Sequence, residues 1–212
     1  MANFDEQSAF EREKYVRAYE SPKYARNAGR QALKNASDIE QVAAHAGVKT
    51  AVDFGCGNGD IVTILRPLDI HVHLIDFMGK EYLGTAAQQA LGEGTAEYTQ
   101  ASLWDPSLKA GLRPAELGIC TDVMEHIPED RVDTVLRLIW DKVPLCFFRI
   151  ALYGDSDKKI AKHGGPLHVT VRDHEWWIAR LEAQGLRFEG WTLEQSVKTP
   201  SKRVLVGWTG KI

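Results

Sequence analysis

Cysteine is scarce in this sequence of 212 residues, and the cysteines show no pairing pattern. The three thiols, Cys56, Cys120 and Cys146, lie in apolar surroundings and form no CxxC or CxxH motif. A disulfide framework or a zinc knuckle requires such spacing. We therefore expect all three cysteines to be reduced residues of the core.

The sequence also lacks a long apolar run and an excess of basic charge. No apolar stretch is long enough to cross a bilayer, and the first residues, MANFDEQSAFEREKY, are charged where an export signal requires an apolar stretch. These features predict a cytoplasmic protein without membrane contact. The formal net charge is -3, so no global basic field attracts nucleic acid, although a local basic patch is compatible with this value.

What the sequence has is the composition of a globular protein, with 44% hydrophobic and 26% charged residues. Disordered and fibrous chains are less apolar or more repetitive. The length favours one domain over 1–212. We expect it to consist of an N-terminal helical cap at 1–47, a central half at 48–152, and a closing section of loop, helix and hairpin at 153–212.

Short apolar runs alternate with helix-like stretches from Thr50 onward. The pattern predicts strands over 50–54, 71–76, 96–101, 117–122 and 145–152, and then, in a closing hairpin, over 186–193 and 203–209. It predicts helices near 59–66, 79–91 and 129–142, and, after a polar loop at 153–172, over 173–184. Strands that are apolar on both faces indicate a parallel sheet covered by helices, hence an α/β fold to which the hairpin adds an antiparallel strand.

Helix-start signals divide the N-terminal 50 residues into three short predicted helices. Ser21 followed by Pro22 is typical of an N-cap and a first helical residue, and Ser37 with Glu40 has the spacing of a capping box. Gly47 is expected to end the third helix.

A glycine-rich loop, DFGCGNGD, separates the first predicted strand from the next helix. Gly55, Gly57 and Gly59 permit a sharp bend and a close approach of a ligand to the backbone. The spacing is not that of a dinucleotide-binding loop, and the preceding Asp53 would repel a pyrophosphate. A cationic ligand fits this loop, although three glycines are also compatible with a bare turn.

A second acid, Asp76, ends the next predicted strand. In a parallel sheet it lies at the carboxyl edge beside the glycine loop, where a carboxylate can accept hydrogen bonds from both hydroxyls of a ribose. An acid at a strand end is often a helix cap, but the combination with the glycine loop on the adjacent strand favours a nucleoside.

Four motifs in order, AVDFGCGNG, HLIDF, ASLWDP and LGICTDVMEHIPED, make the chain resemble the class I S-adenosylmethionine-dependent methyltransferases. The D-V-x-E-H-I-P string is similar to that of small-molecule O-methyltransferases of the ubiquinone-biosynthesis type. The resemblance covers about 45–150 and, more weakly, the closing elements. It implies a Rossmann-like, mostly parallel seven-stranded sheet with helices on both faces and an N-terminal helical extension.

The resemblance implies S-adenosylmethionine as the cofactor of the central half. Its methionine part is expected over Gly55–Gly59 with Asp53 near the amino group, and its ribose on Asp76. Ser102 stands where family members reading ADLW or GDA carry an acid that contacts adenine. The predicted cofactor-binding residues are Asp53, Gly55, Cys56, Gly57, Gly59, Asp76, Phe77, Ser102, Leu103 and Asp122.

Three histidines are candidates for the base that removes a proton from an oxygen acceptor, since histidine titrates near neutrality. They are His126, then His168, then His163. No metal is expected, but Asp122, Glu125 and His126 form an alternative set of ligands for a divalent cation, as related positions do in the ubiquinone-type enzymes. A further alternative is that Glu125 and His126 cap the following helix.

Cations and aromatic residues flank these candidates. The loop that contains Gly164 and Gly165 is a candidate lid over the site, and the cations in it and before it suggest an anionic acceptor. The alternative interpretation is that this loop is only solvated. The cations in question are Arg149, Lys158, Lys159 and Lys162. A second possible lid, for which packing is the alternative, consists of Tyr15, Tyr19, Tyr24, Arg26 and Arg30.

The acceptor is expected to be a small polar metabolite, sugar or nucleotide that is methylated on oxygen, with methylation on nitrogen as the less favoured interpretation. DVME replaces the D/N/S-P-P-Y/F string of amino-methylating DNA enzymes, and no cysteine follows a proline as in cytosine C5 enzymes. Both patterns disfavour nucleic acid as the partner. The alternatives are a methyltransferase acting on a macromolecule and an inert cofactor-binding regulatory module.

Overall fold

The computed structural model describes residues 5–28, 30, 32–196 and 199–211. A single seven-stranded sheet runs through these residues. Its strands are β1 (Thr50–Phe54), β2 (His71–Asp76), β3 (Ala96–Gln100), β4 (Leu117–Thr121), β5 (Leu145–Ala151), β6 (Leu186–Gln195) and β7 (Arg203–Lys211). Their order across the sheet is β3-β2-β1-β4-β5-β7-β6. All seven predicted strands agree with these bounds to within two residues at each end.

Strand direction confirms the predicted mostly parallel sheet. β1 pairs in parallel with β2 and β4, β2 with β3, and β4 with β5. β7 is antiparallel to both of its neighbours, β5 and β6. The closing hairpin therefore supplies the one antiparallel strand of the described sheet.

Helices cover both faces of the sheet. They are α1 (Glu6–Tyr19), α2 (Pro22–Asn27), α3 (Ala36–Ala46), α4 (Val62–Leu65), α5 (Thr85–Gly92), α6 (Pro106–Gly111), α7 (Glu129–Lys142), α8 (Asp157–His163) and α9 (His174–Ala183). Val52 belongs to the apolar cluster that contains α7 and α9, whereas its neighbour Ala51 belongs to the cluster that contains α3, α4 and α5. Successive side chains of a strand point to opposite faces, so the two clusters are the two sides of the sheet.

The N-terminal segment forms the three predicted helices, but one of the two predicted start signals is wrong. Ser21 is the N-cap of α2 and Pro22 its first residue, as expected, although the Ser21 hydroxyl makes no capping hydrogen bond. The predicted capping box at Ser37 and Glu40 does not form. α3 begins two residues earlier, with Asn35 instead of Ser37 as its N-cap, because a 3-10 turn over Ala32–Asn35 leads directly into it.

Two predicted helices are shorter than expected, and two helices were missed. The helix predicted at 59–66 is reduced to α4, and the one at 79–91 divides into a 3-10 turn and α5, because Gly84 is extended between them. α6 lies where no element was predicted, although Asp105 before Pro106 is a helix-start signal and Asp105 accepts a hydrogen bond from the Ser107 N–H. α8 lies inside the predicted loop 153–172 and ends at the left-handed Gly164.

α1 packs over the carboxyl edge of the parallel strands. Tyr15, Ala18 and Tyr19 form a small apolar cluster with Met78, which follows β2, and Leu167, which follows α8. The Arg12 guanidinium also donates to the Phe77 carbonyl at 3.1 Å. The N-terminal extension thereby covers the sheet edge at which ligands bind in open α/β folds.

The three cysteines are buried and free, as expected. None of the described helices combines the length and the apolar character that a membrane-crossing segment requires.

The loop after β1 bends back on the end of β2. Gly55, Gly57 and Gly59 all have positive φ angles, of 79°, 56° and 74°. The N–H groups of Gly55 and Cys56 both donate to the Ile75 carbonyl, at 2.8 and 2.9 Å. A Cβ atom at Gly55 would lie 2.6 Å from Val123 Cγ2. The bend therefore requires glycine for its dihedral angles and for its contact with the segment after β4.

Gly55→Ala and Gly47→Ala separate these two requirements. Gly47 also has a positive φ, but a Cβ atom there would contact nothing within 4 Å. Gly47→Ala is expected to lower the free energy of unfolding by about 1–2 kcal/mol through its left-handed backbone alone. Gly55→Ala is expected to lower it by about 1–3 kcal/mol more, because the overlap with Val123 must be relieved. Urea unfolding measures both, and equal losses would contradict the contact.

Candidate active site

A cavity of about 510 Å³ opens at the carboxyl edge of the parallel strands. Residues that end or follow four of these strands line it: Gly55 after β1, Asp76 at the end of β2, Asp122 after β4 and Ala151 at the end of β5. The parallel arrangement brings these chain-distant positions together, as predicted for this edge.

Asp76 joins the glycine bend to the cavity. Its Oδ2 accepts the Gly57 N–H at 2.8 Å, and its Oδ1 accepts the Met78 N–H at 2.9 Å. The side chain is buried, and burial raises the pKa of Asp76 to about 6. Each carboxylate oxygen has a second lone pair, so the group can still accept hydrogen bonds from a diol in the cavity.

The segment after β3 forms another wall of the cavity. Ser102 is 3% exposed, and its Oγ has no hydrogen-bond partner among the described residues. Because a buried hydroxyl without a partner is costly, a ligand that hydrogen-bonds to Ser102 would be favoured here. Leu103, in the same segment, and Phe77, which follows β2, are apolar residues that also line the cavity.

Most of the predicted cofactor-binding residues line this cavity, and three do not. Those that line it are Gly55, Gly57, Asp76, Phe77, Ser102, Leu103 and Asp122. Asp53, Cys56 and Gly59 are absent from the lining. Asp53 and Cys56 are 4% and 1% exposed, so these two side chains are buried in the protein.

Asp53 is a buried carboxyl among acidic groups. Burial, with a smaller contribution from Asp76, raises the pKa of Asp53 to about 8. Burial raises the pKa values of the thiols of Cys56, Cys120 and Cys146, and Asp53 adds to this effect. No described cation forms an ion pair with Asp53 within 4.0 Å. A positive charge in the cavity would therefore favour the ionised form of this acid.

Asp122 is held by Arg149 in a strained conformation. It is one of two described non-glycine residues with a positive φ, of 52°. The Asp122 N–H donates to the Arg149 carbonyl at 2.7 Å, and the Arg149 guanidinium donates to the Asp122 carboxylate. Arg149 is thus engaged in the protein and does not line the cavity, which corrects its prediction as a cation for the acceptor.

Glu125 brings a completely buried carboxyl to the cavity. Its Oε1 accepts the Ala151 N–H of β5 at 3.1 Å, and its Oε2 has no hydrogen-bond partner among the described residues. Burial raises the pKa of Glu125 well above its ordinary value. The proposed capping role is wrong for Glu125 and His126, because Pro128 is the N-cap of α7 and no side chain caps it.

His126 and His168 are in edge-to-face contact at this end of the cavity, with ring centroids 4.7 Å apart. His126 Nδ1 lies 2.8 Å from the Leu167 carbonyl, and His168 Nδ1 lies 2.5 Å from the Tyr153 carbonyl. Carbonyl oxygens only accept, so each Nδ1 carries the proton and Nε2 is left for the cavity. Burial, and secondarily His168, lowers the pKa of His126 to about 3, so its Nε2 is an unprotonated acceptor.

A divalent cation fits Glu125, His126 and His168. One ligand atom from each of the three lies within 4.8 Å of the others, and Glu125 Oε2 lacks another partner. The hydrogen bonds from both Nδ1 atoms to carbonyls orient the imidazoles as metal sites require. The set of metal ligands predicted from sequence contains Asp122 instead of His168. In the structure Asp122 is paired with Arg149, and His168 takes its place beside Glu125 and His126.

α1, α2 and α8 form the roof of the cavity. His163 is buried there, with its Nδ1 unpartnered among the described residues. The other residues of these helices in the lining are Glu11, Tyr15, Tyr19, Lys23, Tyr24, Asn27, Lys159 and Lys162. Two of the predicted lid residues are engaged elsewhere: Arg26 donates to the Pro22 carbonyl, and Arg30 pairs with Asp60 at 3.7 Å. Lys158 also lies outside the lining.

Tyr153 and Asp155 line the cavity without having been predicted. Asp155 Oδ2 accepts the N–H groups of Leu167 and His168, at 2.8 and 3.0 Å, and thereby orients His168. The signal for both residues is their position just after the fifth predicted strand, which places them at the same sheet edge as Asp76.

Asp53→Asn tests whether this acid is protonated in the free protein. An acid whose pKa is raised by folding makes the native state bind more protons than the unfolded state. The free energy of unfolding then falls by at most about 1.4 kcal/mol per pH unit as pH rises from about 4 towards 8. It levels off above about pH 8. Asparagine does not titrate, so the stability of the variant relative to the wild type should increase from pH 5 to pH 8. Parallel urea-unfolding profiles would contradict this.

Comparison with known proteins finds likeness in structure alone. No protein-family model and no curated protein sequence matches the chain. The chain is similar to 1,6-didemethyltoxoflavin-N1-methyltransferase of Burkholderia thailandensis, whose structure holds 1,6-didemethyltoxoflavin and S-adenosylhomocysteine. The TM-score is 0.72 at 16% identity, over 99% of this chain and 91% of that chain.

Two further structures show the same likeness. The mitomycin 7-O-methyltransferase has a TM-score of 0.60 at 19% identity, over 93% of this chain and 60% of that chain. The N-methyltransferase NodS of Bradyrhizobium japonicum, in complex with S-adenosylhomocysteine, has a TM-score of 0.61 at 15% identity, over 84% and 86%. The chain thus has the Rossmann-like fold of the class I S-adenosylmethionine-dependent methyltransferases, as its motifs predicted.

Proposed function

We propose that this protein transfers a methyl group from S-adenosylmethionine to an oxygen of a small, polar, anionic metabolite. The observation that carries the proposal is that one cavity joins the glycine bend and Asp76 to Glu125, His126 and His168. A nucleoside cofactor and an acceptor can therefore meet in one space at the carboxyl edge of the sheet.

The cofactor fits the half of the cavity between β1, β2 and β3. Its ribose would donate to Asp76, and its adenine would lie against Phe77, Ser102 and Leu103. Its methionine part would pass over Gly55 and Gly57, where the absence of side chains allows close contact. Its ammonium group would favour ionisation of Asp53 behind the bend.

The acceptor fits the half formed by the segments after β4 and β5. Methyl transfer is an in-line displacement: the acceptor oxygen forms a bond to the methyl carbon, and the sulfur keeps the electron pair of the bond that breaks. The hydroxyl proton of the acceptor would pass to Nε2 of His126, which is left free by the hydrogen bond of Nδ1 to the Leu167 carbonyl. Because burial lowers the pKa of His126, the imidazole would hold this proton only transiently before releasing it to water. A nitrogen acceptor with a free lone pair would not need this base, so the paired histidines favour oxygen.

Three lysines support an anionic acceptor. Lys23 of α2 and Lys159 and Lys162 of α8 line the cavity. Of the nearby acids, Asp155 already accepts two backbone N–H groups and lies 3.6 Å from Lys159. A carboxylate or phosphate on the acceptor would be attracted to this side of the cavity.

A divalent cation is an alternative occupant of Glu125, His126 and His168. When bound, it would lower the pKa of the acceptor hydroxyl. The three side chains would then hold the cation, and His126 would no longer act as the base.

Calorimetry with S-adenosylhomocysteine tests the cofactor. The wild type is expected to bind it and not NAD. Asp76→Asn keeps the shape but removes the charge, and is expected to weaken binding about 10- to 100-fold, since a hydrogen bond to a charged group contributes about 1.5–3 kcal/mol. The control Asp60→Asn alters the carboxyl at the far end of the same loop and should leave affinity unchanged. Binding of NAD alone, or equal affinities of Asp76→Asn and wild type, would contradict the assignment.

Incubation with S-adenosylmethionine and a metabolite extract, followed by mass spectrometry of methylated products, tests the reaction. With the acceptor found, His126→Gln is expected to lower kcat by about 100-fold or more with cofactor affinity unchanged. His45→Gln, on the exposed side of α3, is the control. A chelator should not change the wild-type rate. A rate that is lost with the chelator and restored by a divalent cation would assign the three side chains to a metal instead.

A further inference from the structure

Tyr24 stands in the roof at the centre of a row of aromatic rings. The row runs from Tyr82 through Tyr19 to Tyr24, with centroid distances of 4.8 and 5.3 Å, and reaches His163 of α8 at 6.1 Å. Tyr19, Tyr24 and His163 line the cavity, whereas Tyr82 lies behind Tyr19 and does not. Contacts on both sides thus fix the Tyr24 ring over the cavity.

The row of rings spans both halves of the cavity, because Tyr82 follows β2 whereas His163 belongs to α8, which follows β5. Four acids of this sheet edge line the same cavity: Asp76 ends β2, Asp122 and Glu125 follow β4, and Asp155 follows β5. Of these acids, Asp122 and Asp155 have cationic partners, in Arg149 and Lys159, while Asp76 accepts from backbone N–H groups. Tyr24 therefore lies above the boundary between the cofactor half and the acceptor half.

This position coincides with one particular atom of the proposed cofactor. In S-adenosylmethionine the sulfur links the ribose to the methionine chain. With the ribose on Asp76 and the methionine chain over Gly55 and Gly57, as proposed above, the sulfur would lie between the end of β2 and the segment after β4, beneath the middle of the ring row. The sulfur carries the positive charge that is lost when the methyl group leaves.

We propose that the ring of Tyr24 recognises the sulfonium charge and so distinguishes S-adenosylmethionine from S-adenosylhomocysteine. The proposal rests on the proposed function, because it requires the cofactor in this cavity. The face of an aromatic ring attracts a cation, most strongly where water is excluded. Asp76, which has no cationic partner among the described residues, adds to the negative potential when it is ionised. The product, with its neutral sulfur, does not benefit from this attraction, which favours its exchange for a new cofactor.

Affinities of four proteins for both ligands test the proposal without an acceptor. The proteins are the wild type, Tyr24→Leu, Tyr24→Phe and the control Tyr82→Leu. Tyr24→Leu removes the ring. It is expected to weaken the binding of S-adenosylmethionine about 5- to 30-fold, while the affinity for S-adenosylhomocysteine changes by less than about twofold. Tyr24→Phe keeps the ring and should keep the wild-type ratio of the two affinities. Tyr82→Leu removes a ring from the same row outside the cavity, and should also keep the ratio.

Two results would overturn this role. Equal weakening of both ligands by Tyr24→Leu would show that the ring only packs in the roof. A ratio lowered as much by Tyr24→Phe as by Tyr24→Leu would place the effect in the hydroxyl and not in the ring. Urea unfolding of each variant shows whether the roof is intact. Failure of the wild type to bind either ligand is a different outcome, which would contradict the proposed function itself.

Discussion

The left-handed bend after β1 and its attachment to the end of β2 are the constraint on which the rest of the site depends. Two N–H groups of the bend donate to the Ile75 carbonyl, and a third, of Gly57, donates to the Asp76 carboxylate. The bend and the acid are therefore one unit. Any ligand that contacts the Gly55–Gly57 backbone is placed at a set position relative to Asp76, which is the geometry that a nucleoside with a charged tail requires.

A second constraint shapes the other half of the cavity in the same way. Arg149 on β5 holds Asp122 at a positive φ, and the Ala151 N–H holds one oxygen of Glu125. The Glu125 carbonyl in turn accepts the N–H groups of Val169 and Thr170. These bonds tie the segment after β4 to the segment after α8, and this connection brings His126 and His168 into edge-to-face contact.

The sheet and the cofactor half could be predicted from sequence because their signals are local. Strand bounds follow from apolar runs, and Asp76 is a strand-end acid next to a glycine loop. The acceptor half could not be predicted in the same detail. His168 approaches Glu125 only through the path of 153–172, which has few apolar residues and conceals α8. Arg149 is predicted from sequence to be one of the cations near an anionic acceptor, but the fold buries it against Asp122.

Buried acidic groups lie in the wall of the cavity and, in the case of Asp53, behind it. Asp53, Asp76 and Glu125 are buried acids with raised pKa values, and a cationic ligand would relieve the cost of ionising them. The most direct test is a crystal structure of the complex with S-adenosylhomocysteine. The account predicts the ribose on Asp76, the adenine beside Ser102 and the sulfur beneath Tyr24. A ligand bound away from the glycine bend, or turned so that its ribose does not reach Asp76, would contradict it.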